Sequence, residues 1–179
     1  MRRGIGERRT RELIGSIRDL VPGINLRTTM LVGHPGETEE EFEKLCAFVE
    51  EFRFDRLGVF TYSHEESTHA FSLEDLLPEV EKERRANKIM EIQQEISYEL
   101  NQQKIGKEFK VLFDKIEGEY FVGRTEFDSP EVDNEVLVKT ADNYARVGDF
   151  AQVWITDAND YDLYGKIIQV AGADPVEYF

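Results

Sequence analysis

The stretch RTTMLVGHPGETEEEFEKL, residues 27–45, decides the fold of the first part of the chain. The apolar and β-branched run at residues 24–32 predicts a strand buried on both faces, as in a parallel sheet. The sequence GHPG then predicts a turn, and Thr38 with Glu41 three residues later predicts a capping box that begins a helix. The stretch therefore indicates one strand, one turn and one helix of an α/β domain.

A second strand is predicted at RLGVFTY, residues 56–62, and it completes a β-α-β unit with parallel strands. Ligands of parallel sheets lie beyond the carboxyl ends of the strands, which places residues 33–38 and 61–68 at a candidate binding edge. A further helix is predicted at residues 10–21. Because two strands cannot close a sheet, we expect this region to be the C-terminal part of a larger α/β domain. The rival interpretation is a whole small protein that completes its sheet by oligomerising.

The turn GHPGET leaves two interpretations open. Pro35 removes one backbone donor, and the glutamates that follow add negative charge at the helix start, so a phosphate cradle is disfavoured. One interpretation is a structural corner. The other is a ligand loop that meets a neutral or zwitterionic group through its backbone.

The second part of the chain changes its hydrophobic period. Residues 78–104 contain no glycine after Pro78 and predict one long amphipathic helix. Period-2 alternation then predicts five short strands, at residues 109–116, 119–127, 134–140, 150–158 and 162–170. Five strands of this length are typical of a small closed barrel of the OB-like kind.

The charge of the chain constrains its partners. The net charge is −15 and the sequence pI is about 4.7. In residues 104–179 eight cations face sixteen acids, a net charge of −8. Nucleic-acid binding needs clustered cations, so RNA is not expected as a partner of the barrel, whereas a basic protein is.

Metal and membrane sites are not expected. Cys46 is the single cysteine, and a lone thiol cannot hold a zinc or iron–sulfur site. The three histidines lack ligand spacing, and Asp157, Asp160 and Asp162 are interpreted as a turn rather than a calcium loop. No apolar run approaches the roughly 20 residues of a membrane span, and a reducing cytoplasm fits the cysteine count.

Five segments carry a resemblance to a known family: LRTTMLVGHPGETEEEF, FDRLGVFTYSHEEST, ERRANKIMEIQQEIS, GRTEFDSPEVDNEVLV and ITDANDYDLYGKI. Their order and spacing resemble the radical S-adenosylmethionine methylthiotransferases, most closely the RimO branch that modifies ribosomal proteins. His34 and His64 depart from the family's pattern, which has Phe and Pro there. The cluster cysteines of the family are absent from this chain.

The resemblance implies the following fold. The chain is the end of a radical S-adenosylmethionine (β/α) barrel, a long helix and a five-stranded TRAM β-barrel. The implied divisions are residues 1–72 for the partial barrel, 73–104 for the helix, 105–173 for the TRAM domain and 174–179 for a tail.

The resemblance also implies chemistry. The full enzyme holds two 4Fe-4S clusters and S-adenosylmethionine, and it methylthiolates the β-carbon of an aspartate in a small-subunit ribosomal protein. No catalytic residue is expected in this chain, which is predicted to be inactive by itself. The residues implied to line S-adenosylmethionine are Arg27, Thr29, Val32, Gly33, Pro35, Gly36, Leu57, Val59 and Tyr62.

The TRAM barrel is expected to dock the basic ribosomal protein. The candidate docking residues are Asp128, Glu131, Asp133 and Glu135. Two alternatives remain, a tRNA methylthiotransferase of the same family and a non-catalytic acidic adaptor. Exposed strand edges also predict that the chain self-associates or that its N-terminal third is disordered.

Overall fold

The computed structural model describes residues 4–66, 68–74, 77–130 and 132–170. Its elements, in chain order, are α1 (Glu7–Leu20), β1 (Arg27–Val32), α2 (Glu39–Phe52), β2 (Arg56–Thr61), a 3₁₀ helix (His69–Ser72), α3 (Glu79–Gln102), β3 (Glu108–Glu117), β4 (Tyr120–Thr125), β5 (Val136–Lys139), a second 3₁₀ helix (Thr140–Asp142), β6 (Phe150–Ala158) and β7 (Leu163–Val170). Backbone contacts divide the chain into two compact units, residues 1–96 and residues 97–179. The α/β part followed by a β-barrel confirms the predicted fold class.

The first unit contains the predicted β-α-β arrangement. Strands β1 and β2 are parallel, with Arg27 opposite Arg56 and Val32 opposite Thr61. Helix α2 connects them and begins at the predicted capping box, in which Thr38 accepts a hydrogen bond from the Glu41 amide. Phe42, Val49 and Phe52 of α2 are buried, as its apolar period predicted.

The prediction that β1 is buried on both faces is wrong. Val32 is fully buried, but Thr29 is exposed, and so is Phe60 on the neighbouring strand. Side chains alternate between the faces of a strand, and the described residues cover only one face of this two-stranded sheet. An uninterrupted apolar run does not by itself determine whether both faces of a strand are covered.

The second unit is a closed barrel with the strand order β3-β4-β5-β7-β6. The β5–β7 pair is parallel, and the other neighbours are antiparallel. One apolar cluster fills the barrel, made of Val111, Phe113, Phe121, Val136, Val138, Ala145, Ala151, Val153, Ile155, Ala158 and Leu163. The OB-like prediction is thus confirmed.

The last turns of α3 belong to the second unit and are hydrogen-bonded to the loop between β6 and β7. Ser97 Oγ donates to the Asp160 carbonyl at 2.6 Å, and Gln102 Nε2 donates to the Ala158 carbonyl at 2.8 Å. Asn101 is completely buried and donates to the Asn159 carbonyl at 3.1 Å. This loop is a turn closed by the Asn159 side chain, as interpreted from the sequence.

Among the described residues, no helix is both long enough and apolar enough to cross a membrane.

Candidate functional site

The turn after β1 is closed by its own glutamate. Gly33 has a φ of +77° and Gly36 a φ of +88°, a region that favours glycine. The Gly33 amide donates to both carboxylate oxygens of Glu37, at 3.1 and 3.2 Å, and the Glu37 amide donates to the His34 carbonyl at 2.9 Å. An external phosphate would have to displace a carboxylate from the Gly33 amide, which agrees with the expectation that this turn is no phosphate cradle.

Arg85 of α3 holds that glutamate in place. Its guanidinium is 2.6 Å from Glu37 Oε1 and 2.9 Å from Glu81 Oε1, and Arg85 is only 3% exposed. Burial acts to lower the pKa of Arg85, but the hydrogen bonds that it donates to Glu37 and Glu81 outweigh burial and raise the pKa. Glu37 is therefore engaged by Arg85.

Glu81 links the Arg85–Glu37 pair to a second arginine, Arg84. Hydrogen bonds from Arg84 and then Arg85 lower the pKa of Glu81 to about 2. Arg84 also pairs with Glu39 at 2.9 Å, so the start of α3 and the start of α2 are joined by four alternating charges. The network fixes the helix that follows the turn.

Lys82 of α3 packs against the turn, and its role was not predicted from the sequence. It is 1% exposed, and its Nζ donates to Glu79 at 2.7 Å and to the Tyr62 carbonyl at 3.3 Å. A Cβ at Gly33 would lie 2.5 Å from Lys82 Cγ, so the two residues fit only because Gly33 has no side chain. Tyr62 and Gly33 end adjacent strands, and Lys82 therefore touches both ends.

A signal for these buried cations exists in the sequence. Five of the buried positions of α3 are separated by three, four, three and four residues, and they are Lys82, Arg85, Ile89, Ile92 and Ile96. The apolar stripe thus continues through two cations toward the amino end of the helix. Two of its residues are charged, so composition does not predict this stripe, but the spacing of its positions does.

The histidines at the strand ends join an aromatic cluster. The His34 and Tyr62 rings meet edge to face at 5.4 Å, and the Tyr62 hydroxyl is 3.2 Å from His64 Nδ1. The His64 ring also lies 4.7 Å from that of Phe71. In the described part of the chain, no group of three or more His, Cys, Asp or Glu side chains is placed to hold a metal ion.

The residues expected to line S-adenosylmethionine lie on different faces of the sheet. Thr29 is exposed on the uncovered side, which also carries Gly58 and Phe60 and which we call the bare face. Val32, Leu57 and Val59 lie on the opposite, packed side, where Val32 is fully buried.

The turn and the far strand ends complete the placement. Gly33, Pro35 and Tyr62 are buried at the carboxyl ends of the strands, and Gly36 is exposed. Arg27 begins β1, about 16 Å from Val32 at the rise of an extended strand, and the structure does not bring it to the turn. The turn therefore lies at the carboxyl end of the sheet, next to the bare face, and Arg27 lies at the opposite end of β1.

Cys46 is half-buried on α2. Burial, followed by the nearby Glu50 charge, raises the pKa of its thiol, which keeps the sulfur protonated at neutral pH. One protonated thiol cannot ligate an iron–sulfur cluster.

The barrel carries a groove of about 610 Å³ between the β3–β4 hairpin and the loop that precedes β5. We call it the hairpin groove, and its lining residues are Asp114, Lys115, Val122, Gly123, Arg124, Ser129, Pro130, Val132, Asp133, Asn134 and Glu135. It contains two of the four predicted docking acids, Asp133 and Glu135.

Asp128 is not among the residues that line this groove. Asp128 is 6% exposed and its carboxylate accepts from Thr125 Oγ1 at 2.6 Å, so it is a structural acid of the loop and corrects the expectation of an exposed docking charge. Glu131 lies outside the described residues. The Asp133 carboxylate also accepts a hydrogen bond from the Ser129 amide at 2.7 Å, so one of its oxygens is already engaged within the loop.

Comparison with known proteins assigns both parts of the chain to one family. The profile described as "TRAM domain" matches residues 105–168, which include strands β3 to β6 and most of β7. The "Ribosomal protein uS12 methylthiotransferase RimO" of Cytophaga hutchinsonii is 63% identical over 169 residues, which is 94% of this chain. The chain belongs to the RimO methylthiotransferase family.

Further RimO proteins agree with this assignment. The protein of the same name from Christiangramia forsetii is 54% identical over 98% of the chain, and that from Flavobacterium johnsoniae is 52% identical over 93%. The chain spans 39% of the length of the first two relatives and 38% of the third. The resemblance read from the sequence segments is confirmed, and the RimO relatives are named as methylthiotransferases.

Proposed function

We propose that this chain serves an enzyme that methylthiolates the β-carbon of an aspartate in ribosomal protein uS12 by radical S-adenosylmethionine chemistry, in the cytoplasm. The observation that carries the proposal is the 63% identity, over 94% of the chain, to a relative named for that reaction. Within the proposal, residues 1–72 contribute to the (β/α) barrel, residues 73–104 form the connecting helix and residues 105–173 act as the TRAM domain.

The first unit contributes to the S-adenosylmethionine wall in this proposal. The bare face fits an adenine ring because Gly58 leaves its centre open and Phe60 is 66% exposed beside it. The turn at Gly33 and Gly36 borders this face, and α3 holds its shape through Arg85 and Lys82. When bound, S-adenosylmethionine supplies the radical that abstracts hydrogen from the unactivated carbon.

The iron–sulfur clusters of the family do not fit the residues of this chain. Cys46 is the one cysteine in the sequence, and it is half-buried in α2. We therefore assign no step to a cluster held by these residues, and we expect the isolated chain to be unable to methylthiolate. Turnover by the isolated chain in an anaerobic assay with reductant and S-adenosylmethionine would contradict this.

The second unit docks the protein substrate in this proposal. The net charge of −8 over residues 104–179 favours a basic protein over RNA, because like charges repel phosphates and opposite charges steer association. Asp133 and Glu135 in the hairpin groove replace the fuller set of docking acids expected from the sequence.

Binding of the full chain to uS12, with a tRNA as comparator across a salt series, tests this role. We expect binding to the protein that weakens as salt rises, and no comparable binding to tRNA. Binding to tRNA without binding to uS12 would instead favour the tRNA branch of the family.

A further inference from the structure

The hairpin groove neutralises its own acids with two cations of the same barrel. Lys115 Nζ lies 2.9 Å from Glu117 and 3.1 Å from Glu135, and Arg124 Nε lies 2.9 Å from Asp114. The hydrogen bonds to Glu117 and then Glu135 raise the pKa of Lys115, so it stays charged. Among the described residues, three acids and two cations line the groove, so their charges nearly balance.

An unsatisfied donor lies in the same groove. Asn134 is 9% exposed, and its Nδ2 has no hydrogen-bond acceptor within the described residues. Buried polar atoms almost always have partners, and a buried donor without one destabilises the fold. A bound partner that presents an acceptor to this amide would satisfy the donor.

We propose that the hairpin groove binds an extended segment of a basic protein, whose peptide carbonyl accepts from Asn134 and whose lysine or arginine replaces Lys115 at Glu135. Lys115 and Arg124 then act as internal competitors for the incoming cations. This inference rests on the proposed docking function of the barrel and names the site and the chemistry of recognition.

Competition from Lys115 and Arg124 makes the groove selective for a correctly placed cation. Glu135 is released only when a cation arrives in the right place, so a diffuse positive surface gains little from the groove. A peptide carbonyl is a neutral acceptor, which suits a donor beside Asp133 and Glu135. A phosphate acceptor would have to approach these same carboxylates and is disfavoured.

The test is a ¹⁵N NMR titration of the full chain that follows the side-chain amide of Asn134. The two probes are purified uS12 and the capped peptide acetyl-GKGKGK-amide. We expect both probes to shift the Asn134 amide signals selectively. Three variants then separate groove binding from general attraction: Lys115→Gln, Glu135→Gln and Asn134→Leu.

Each charge variant has a matched control outside the groove. Lys115→Gln and Lys166→Gln remove the same charge, and only the first releases Glu135. We expect Lys115→Gln to tighten binding about threefold relative to Lys166→Gln, the scale of an exposed ion pair. Glu135→Gln should weaken binding by a similar factor relative to Glu108→Gln, which removes an exposed acid of β3.

Asn134→Leu separates a binding role from a structural one. Leucine keeps the volume and removes the unsatisfied donor, so the urea midpoint should stay unchanged or rise while binding weakens. A lower midpoint with unchanged binding would assign Asn134 to the fold and overturn its proposed role.

The outcomes distinguish the two levels of the proposal. Binding of uS12 with equal effects of Lys115→Gln and Lys166→Gln would overturn the groove and leave the docking function standing. A response of Asn134 to the lysine peptide but not to uS12 would support the groove and overturn uS12 docking through it. No response to either probe would overturn the groove.

Discussion

Gly33 has the tightest steric requirement in the turn after β1. Its φ of +77° disfavours any side chain, and its position over Lys82 leaves no space for a Cβ. We expect Gly33→Ala to lower the free energy of unfolding by about 2–5 kcal/mol, since left-handed strain costs about 1–2 kcal/mol and overpacking about 1–3 kcal/mol. Urea unfolding followed by circular dichroism measures this.

Gly36 provides the matched control for that substitution. It has a φ of +88°, but a Cβ there would meet nothing within 4 Å. Gly36→Ala should therefore cost only the backbone strain, about 1–2 kcal/mol. Equal losses for the two variants would mean that Lys82 does not constrain the turn.

Glu81 makes the first unit sensitive to acid. Its pKa is lowered from 4.5 to about 2 by Arg84 and Arg85, so the unfolded chain binds a proton more readily than the folded chain between these values. Its contribution to stability is fully present above about pH 4.5 and is lost as the pH falls toward 2. The stability gap between wild type and Glu81→Gln should thus be wide at pH 7 and narrow at pH 2.5.

Urea unfolding at these two pH values checks the expected change. Glu43→Gln, which alters an exposed acid of α2, is the control for the loss of one negative charge. A gap for Glu81→Gln that stays constant on acidification, or follows that of Glu43→Gln, would rule out the arginine network as its cause.

At the scale of the element, α2 is specified by its first turn. Thr38 Oγ1 accepts from the Glu41 amide at 3.2 Å, and Glu41 Oε2 accepts from the Thr38 amide at 2.9 Å. We expect Thr38→Ala to destabilise the first unit by about 1 kcal/mol, because the helix loses its N-cap acceptor. Thr38→Ser keeps the acceptor and should retain most of the stability in urea unfolding; identical midpoints for all three proteins would exclude a role for the cap.

Helix α3 shows where local patterns are sufficient and where they fail. The interior Ile89, Ile92 and Ile96 follow directly from apolar spacing, and so does the helix itself. Lys82 and Arg85 do not, because hydrophobicity assigns them to solvent, while the structure buries their stems and pairs their charges with Glu79 and Glu37. Long cationic side chains take core positions when carboxylates and carbonyls meet their ends.

At the scale of the whole molecule, the barrel was predictable and the docking acids were not. Period-2 alternation predicts which residues of β3 to β7 face inward, and closure follows from five short strands. Asp128 could not be interpreted from charge alone, because a carboxylate is equally compatible with solvent and with a Thr125 hydroxyl. The hairpin groove depends on a loop that approaches a hairpin distant in sequence, and no local pattern encodes that approach.

The bare face is an exposed apolar surface that favours association between chains. Phe60 is 66% exposed on a two-stranded sheet, and exposed apolar sheet surface favours pairing with another chain. We expect the wild-type chain to associate as its concentration rises in sedimentation velocity, and Phe60→Lys to shift it toward monomer. Tyr144→Lys, at a side chain that is 71% exposed in the barrel unit, should leave the association unchanged. A wild-type chain that sediments as a sharp monomer at every concentration, with full amide protection across residues 24–62, would contradict this and would mean that Phe60 does not draw chains together.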